Sequence, residues 1–87
     1  MVNVVVWSKP NCPECNKATQ LLDSRMIAYE TRKIGDGWTK EQLLEVAPEA
    51  RSVPQIFIYN KLIGGCNALV QYIEETGFNG SGHSTGN

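Results

Sequence analysis

The 87-residue chain predicts one α/β domain: a four-stranded mixed sheet flanked by three helices, in the order β-α-β-α-β-β-α. Three observations predict it. A nearly unbroken β-branched run opens the chain, segments of helical spacing alternate with segments of strand type, and the punctuation between them is short. A chain of this length supports a single modest core.

Residues 2–7 (VNVVVW) hold one polar side chain, Asn3, and read as a strand buried on both faces. A loop with Pro10 follows. Pro13 suits the first turn of a helix, where its missing N–H costs nothing, and Glu14 suits the positive helix end. Cys15, Ala18, Leu22 and Met26 recur at helical spacing, so a helix is predicted over roughly residues 13–26 with that stripe against the sheet. Residues 27–34 (IAYETRKI) alternate loosely and predict a second strand. Strand, helix and strand in this length make a right-handed crossover with parallel strands.

Gly35-Asp36-Gly37 is a turn. Thr39 and Gln42 have capping-box spacing ahead of Leu43, Leu44 and Ala47, and Pro48 stops that helix. Residues 55–59 (QIFIY) are a clear strand, Asn60-Lys61 reverse the chain, and Leu62-Ile63 begin a partner strand. Gly64-Gly65 lead into a last helix carrying Leu69, Val70, Tyr72 and Ile73, which closes at Gly77. The domain is therefore placed at residues 1–77. Residues 78–87 are assigned to a flexible Gly/Ser-rich tail, since residues 79–87 (NGSGHSTGN) offer nothing apolar to bury.

Eight Lys plus Arg against nine Asp plus Glu give a formal net charge of −1. That balance lacks the basic stripe of a nucleic-acid-binding surface. No apolar run reaches the ~18 residues of a membrane helix, and the first residues lack the charged and apolar regions of a signal peptide. Three cysteines, an odd number, argue against a secreted disulfide framework. The expected setting is the reducing cytoplasm, where a Cys-x-x-Cys is redox-active or metal-binding. The chain is read as a monomer.

Chemistry concentrates in Lys9-Pro10-Asn11-Cys12-Pro13-Glu14-Cys15. The unpaired amides and dipole at a helix N-terminus favour a thiolate, which makes Cys12 the expected nucleophile, aided weakly by Lys9. Cys15, one turn on, is expected to be more buried and to act as the resolving thiol. A zinc set of Cys12, Cys15, Cys66 and His83 is the competing reading, but these spacings match no common zinc module, so no metal is expected. Val53-Pro54 reads either as a turn before a strand or as a cis peptide that turns the Val53 N–H and C=O outward, toward a peptide-like ligand. Gly64-Gly65 reads as a simple turn or as an amide nest for a carboxylate. Cys66 reads as a small helix-start residue or a secondary thiol open to glutathionylation. Trp7, Trp38, Tyr59 and Tyr72 read as packing residues.

Three segments, Lys9 to Cys15, Ser52-Val53-Pro54-Gln55-Ile56-Phe57-Ile58 and Ile63-Gly64-Gly65-Cys66-Asn67, together resemble the glutaredoxin family in order and spacing over about residues 2–76. The chain's short form is similar to glutaredoxins of bacteria and their phages. The resemblance implies a thioredoxin-like fold and glutathione as reducing co-substrate. By it, Cys12 attacks a disulfide or a glutathione mixed disulfide, and Cys15 resolves protein mixed disulfides. Val53 and Pro54, with Pro13 beside the cysteine, would meet the cysteinyl part of glutathione, and Lys9 a carboxylate or the thiolate. Gly65, Cys66 and Asn67 would hold the γ-glutamyl end, with Gln42 or Lys40 at the glycine carboxylate. The implied partners are disulfide-bearing client proteins, with ribonucleotide reductase as one by family analogy.

The chain departs from that family at three points. Glu14 stands where an aromatic is common, and a carboxylate there works against the neighbouring thiolate. Ser52 stands for a frequent Thr. Ala68 stands where an Asp often helps hold the glutathione amino group. Two alternatives keep part of the pattern. One is a redoxin reduced by thioredoxin reductase, whose usual aromatic motif before the last helix is missing here. The other is an iron–sulfur carrier, which ordinarily has a single active cysteine followed by Gly-Phe-Ser.

Overall fold

Alternation along two central strands builds a core on each side of one sheet. In the computed structural model, which describes residues 2–80, β1 (Val4–Ser8) lies between β2 (Glu30–Lys33) and β3 (Gln55–Ile58), and β4 (Lys61–Gly64) forms the far edge. β1 runs parallel to β2 and antiparallel to β3, and β3 is antiparallel to β4. Successive strand residues face opposite ways. Val4, Val6, Ile56 and Ile58 join Ala18 and Leu22 of α1 (Pro13–Ser24) and Leu69 and Ile73 of α3 (Cys66–Thr76) in the larger core. Trp7 and Phe57 face the other way, onto Leu43 and Ala47, at and just beyond α2 (Lys40–Val46). The expected architecture and element order are those observed. No helix among the described residues is long and apolar enough to cross a membrane.

Local signals hold where they are self-contained. Thr39 Oγ1 accepts from Gln42 N–H at 3.1 Å and Gln42 Oε1 accepts from Thr39 N–H at 2.8 Å, completing the capping box of α2. Gly77, at φ 67°, donates its N–H to the Ile73 carbonyl and ends α3 as expected.

Four expectations are corrected. First, α1 stops at Ser24, and Met26 is 91% exposed rather than part of the apolar stripe. Met26 adopts φ 58°, its N–H bonds the Asp23 carbonyl, and the Ile27 N–H bonds the Leu22 carbonyl. This is a Schellman closure in which Met26 takes the left-handed position and Ile27 folds back onto Leu22. Second, β2 is shorter than residues 27–34, because Ile27 is spent on that closure. Third, the hairpin turns on Tyr59 and Asn60, both at positive φ, and Lys61 already pairs with Ile58. Two consecutive positive-φ residues are what a two-residue type I′ hairpin turn demands.

Fourth, packing continues past residue 77. Phe78 is 2% exposed, and its ring meets those of Tyr59 and Tyr72 edge to face, each at 5.8 Å. Asn3 Nδ2 donates to the Gly80 carbonyl at 2.9 Å. Phe78 to Gly80 thus belong with the folded unit, and the remainder of the expected tail lies outside the described residues.

Candidate functional site

Sheet order brings the three motifs together. β1 and β3 are antiparallel neighbours with Trp7 opposite Gln55, so the chain leaving β1 meets the chain entering β3. β4 pairs Gly64 with Ile56, which delivers the start of α3 to the same end of the sheet. Gly64 sits at φ 129°, and a Cβ there would lie 2.9 Å from Ala68 Cβ. Only glycine makes that tight entry into α3 without strain.

Cys12 is the N-cap of α1, with extended backbone and Pro13 at the first helical position. Its Sγ accepts from the Cys15 N–H at 3.2 Å, as a capping side chain does. The two cysteines are joined as a disulfide. Once that bond is reduced, a Cys12 thiolate occupies a position already furnished with an amide donor and the positive end of the helix.

The expected contrast in exposure is slight. Cys12 is 6% exposed and Cys15 3%, because Cys12 lies under the Val53–Pro54 segment as well as against Cys15. The Val53–Pro54 bond is cis, and the Val53 carbonyl oxygen lies 3.8 Å from Cys12 Sγ. Sulfur in a disulfide carries no proton, so this is a contact in the oxidised form and becomes a donor–acceptor pair only for a Cys12 thiol. Among the described residues no hydrogen bond engages the Val53 N–H.

Two shallow grooves flank Val53. One, of about 280 Å³, is lined by Glu14, Pro54, Gly65, Cys66, Asn67 and Ala68, together with Ser52, Val53 and Gln55. The other, of about 220 Å³, is bordered by Lys9, Lys40 and Arg51 over an apolar floor of Ile34, Leu43 and Leu44. Lys9, Val53, Pro54, Gly65, Cys66 and Asn67 line the two grooves that share Val53, Cys12 Sγ lies against the Val53 carbonyl and is bonded to Cys15, and Pro13 sets the helix start beside them. Gln42 is not among the lining residues; it is exposed, with its amide oxygen accepting from the Thr39 N–H in the capping box. Lys40 lines the groove in its place. Arg51 is a cation that sequence reasoning missed, and its position directly before Ser52-Val53-Pro54 was the available signal.

Cys66 is a free, half-buried thiol at the first position of α3. Burial pushes its pKa above the ordinary value, the Glu14 carboxylate adds to that, and Lys17 opposes it. Lys17 Nζ stands 3.3 Å from Glu14 Oε1, so the two charges act as a local pair. A raised pKa lowers the thiolate fraction and with it the reactivity of this sulfur. Among the described residues no group of three His, Cys, Asp or Glu side chains is placed to hold a metal ion. His83 lies outside those residues.

Comparison with known proteins agrees with this geometry. The family model described as Glutaredoxin matches residues 4–63. Glutaredoxin 1 of Rickettsia conorii is 36% identical over 74 residues, covering 83% of this chain and 72% of the relative. Glutaredoxin 3 of Escherichia coli is 35% identical over 69 residues, covering 79% and 83%. Among solved structures, a buckwheat glutaredoxin in complex with glutathione superimposes with a TM-score of 0.74 at 28% identity, over 85% of this chain and 70% of that one. Glutaredoxin 1 of Francisella tularensis, at 24% identity and a TM-score of 0.73, shares the fold over 86% of this chain.

Proposed function

The chain belongs to the glutaredoxin family, and on that premise we propose that it is a thiol–disulfide oxidoreductase that uses glutathione to reduce protein disulfides and glutathione mixed disulfides in the cytoplasm. The observation that carries the reading is the placement of Cys12 Sγ. It caps a helix, sits 3.2 Å from an amide donor, and lies beside a cis Val53–Pro54 segment whose N–H is unengaged. An extended peptide pairs with free backbone groups of this kind. Glutathione is such a peptide, with carboxylates that suit Lys9, Lys40 and Arg51 at one groove and the Gly65–Asn67 segment at the other.

In the proposed cycle the Cys12 thiolate attacks the glutathione sulfur of a mixed disulfide. The client thiolate leaves and takes a proton from solvent. A second glutathione thiolate then attacks that same sulfur, forming oxidised glutathione and returning the Cys12 thiolate. With a protein disulfide, Cys12 instead forms a mixed disulfide with the client. Cys15 attacks Cys12 Sγ, the client leaves reduced, and two glutathiones restore the dithiol. Disulfide-bearing proteins are the proposed clients, with ribonucleotide reductase one of them by family analogy.

The test is NADPH-coupled turnover of a glutathione mixed disulfide through glutathione reductase. Cys12→Ser is expected to abolish turnover, and Cys15→Ser to retain it on the small mixed disulfide while losing protein disulfides. Equal rates for Cys12→Ser and wild type remove Cys12 from the mechanism. Turnover supported by thioredoxin reductase but not by glutathione overturns the choice of reductant.

A further inference from the structure

Ser8 closes β1, four residues before Cys12. It is 4% exposed, and its Oγ is the one buried side-chain nitrogen or oxygen without a hydrogen-bond partner among the described residues. Its backbone is settled, because the Ser8 carbonyl accepts from the Ile34 N–H at 2.9 Å. The hydroxyl alone is unmatched, and burying an unmatched hydroxyl is costly.

Strand alternation gives the side of the sheet on which this hydroxyl lies. Val4, Val6 and Ser8 share one face of β1, and Val4 and Val6 pack on Ala18 and Leu22 of α1. The buried residues of α1 are Cys15, Ala18 and Leu22. α1 runs back along β1, so the end of the strand lies under the first turn of the helix. Ser8 sits at the level of Cys15, and the two line one polar cavity of about 220 Å³ with Asn16, Thr19, Tyr29 and Lys33. Two neighbouring donors are already committed: the Thr19 hydroxyl is shared between the Cys15 and Asn16 carbonyls, and the Cys15 N–H is given to Cys12 Sγ.

The chemistry of Cys15 changes with oxidation state. In the disulfide its sulfur is at most a weak acceptor and has no proton. After reduction it is a thiol, still a weak acceptor but now with an S–H that can donate to the Ser8 oxygen, and at the moment of attack a thiolate, a strong acceptor. We propose that the Ser8 hydroxyl is a built-in hydrogen-bond donor to the Cys15 sulfur, without a partner in the disulfide and matched in the dithiol, so that it favours reduction of the pair and assists Cys15 in resolving mixed disulfides. The inference rests on the thiol–disulfide reading above and extends it to a residue outside the three motifs. In the resolving step the Cys15 thiol gives its proton to solvent and its thiolate attacks Cys12 Sγ. The bond from Cys12 to the client sulfur breaks, and the client thiolate leaves with the electron pair. Ser8 keeps its own proton throughout.

The experiment equilibrates wild type, Ser8→Ala and Ser8→Thr in graded mixtures of reduced and oxidised dithiothreitol, and follows the rate and pH dependence of mixed-disulfide resolution. Ser8→Ala is expected to shift the equilibrium toward the disulfide about tenfold, equivalent to about 30 mV. It should also slow resolution several-fold at neutral pH, move the pH profile of that step upward, and raise the Tm of the oxidised protein relative to the reduced one. Ser8→Thr, which retains the hydroxyl, should stay near wild type in both equilibrium and pH profile. An Ala equilibrium within twofold of wild type, Ala Tm shifts equal in both redox forms, or a Thr variant matching Ala overturns the inference. The buffer contains no glutathione, so a pair that interconverts normally but ignores Ser8 defeats this inference alone. A pair that does not interconvert at all defeats the oxidoreductase reading.

Discussion

Removing two cations from the groove beside Val53 is the sharpest test of glutathione use. Lys9, Lys40 and Arg51 border that groove, and no acidic side chain lines it. Lys9 adjoins the cysteine loop and is left intact, so the perturbation is Lys40→Gln with Arg51→Gln. Both side chains are exposed, and that exposure sets the magnitude. A contact between unit charges in bulk water is worth about 1 kcal/mol, and measured exposed pairs give about 0.2–1 kcal/mol each. Two cations therefore contribute about 0.4–2 kcal/mol, or roughly a 2- to 30-fold rise in KM for glutathione. The kcat at saturating glutathione should hold, because binding of this kind is uniform between ground and transition states. At about 1 M salt the Debye length falls to about 3 Å, and the wild-type KM should climb toward that of the variant. Glutathione with its glycine carboxylate amidated should bind both proteins alike. A double variant with KM within experimental error of wild type, at low salt, refutes the assignment of this groove to a carboxylate.

Two further outcomes follow from the geometry. Phe78→Ala, or truncation after Gly77, should cost about 3 kcal/mol or more through loss of a fully buried aromatic, a fall of roughly 12–24 °C in Tm for a domain of this size. A truncated protein melting within a few degrees of the full chain would return the boundary to residue 77. In a Cys12→Ser/Cys15→Ser background, alkylation of Cys66 reports its ionisation. Glu14 holds the Cys66 pKa up and Lys17 holds it down, so Glu14→Gln should lower that pKa and speed alkylation near pH 8, and Lys17→Gln should do the reverse. Shifts of the same sign in both variants exclude the charge pair as the cause.

What could be read from the sequence separates from what could not by the range of the interactions involved. The capping box at Thr39, the helix start at Pro13 and the glycine stop at Gly77 each draw on residues within one turn, and all three are observed. The Met26 closure is equally local but lacks its usual glycine. Its signal is the apolar Leu22–Ile27 pair that the turn brings together, and helical periodicity reads the same residues as more helix. Phe78 is different in kind. Its partners are Tyr59 and Tyr72, and the neighbouring Gly80 is held by Asn3, so its place in the core is set by distant residues, and its own ring ahead of a polar stretch was the only local signal.

The candidate site divides along the same line. Cys12 and Cys15 are legible because their chemistry needs only a helix start, whereas the burial of Cys12 is produced by a loop 41 residues away. Gln42 shows how one residue can fit a local pattern and a functional one at once. Its amide oxygen stabilises the start of α2, while the groove itself is lined by Lys40, two residues earlier on the same helix. Ser8 escaped notice for the opposite reason. At the end of a buried strand it looks like punctuation, and only the packing of α1 on β1 sets its unpartnered hydroxyl in one cavity with Cys15.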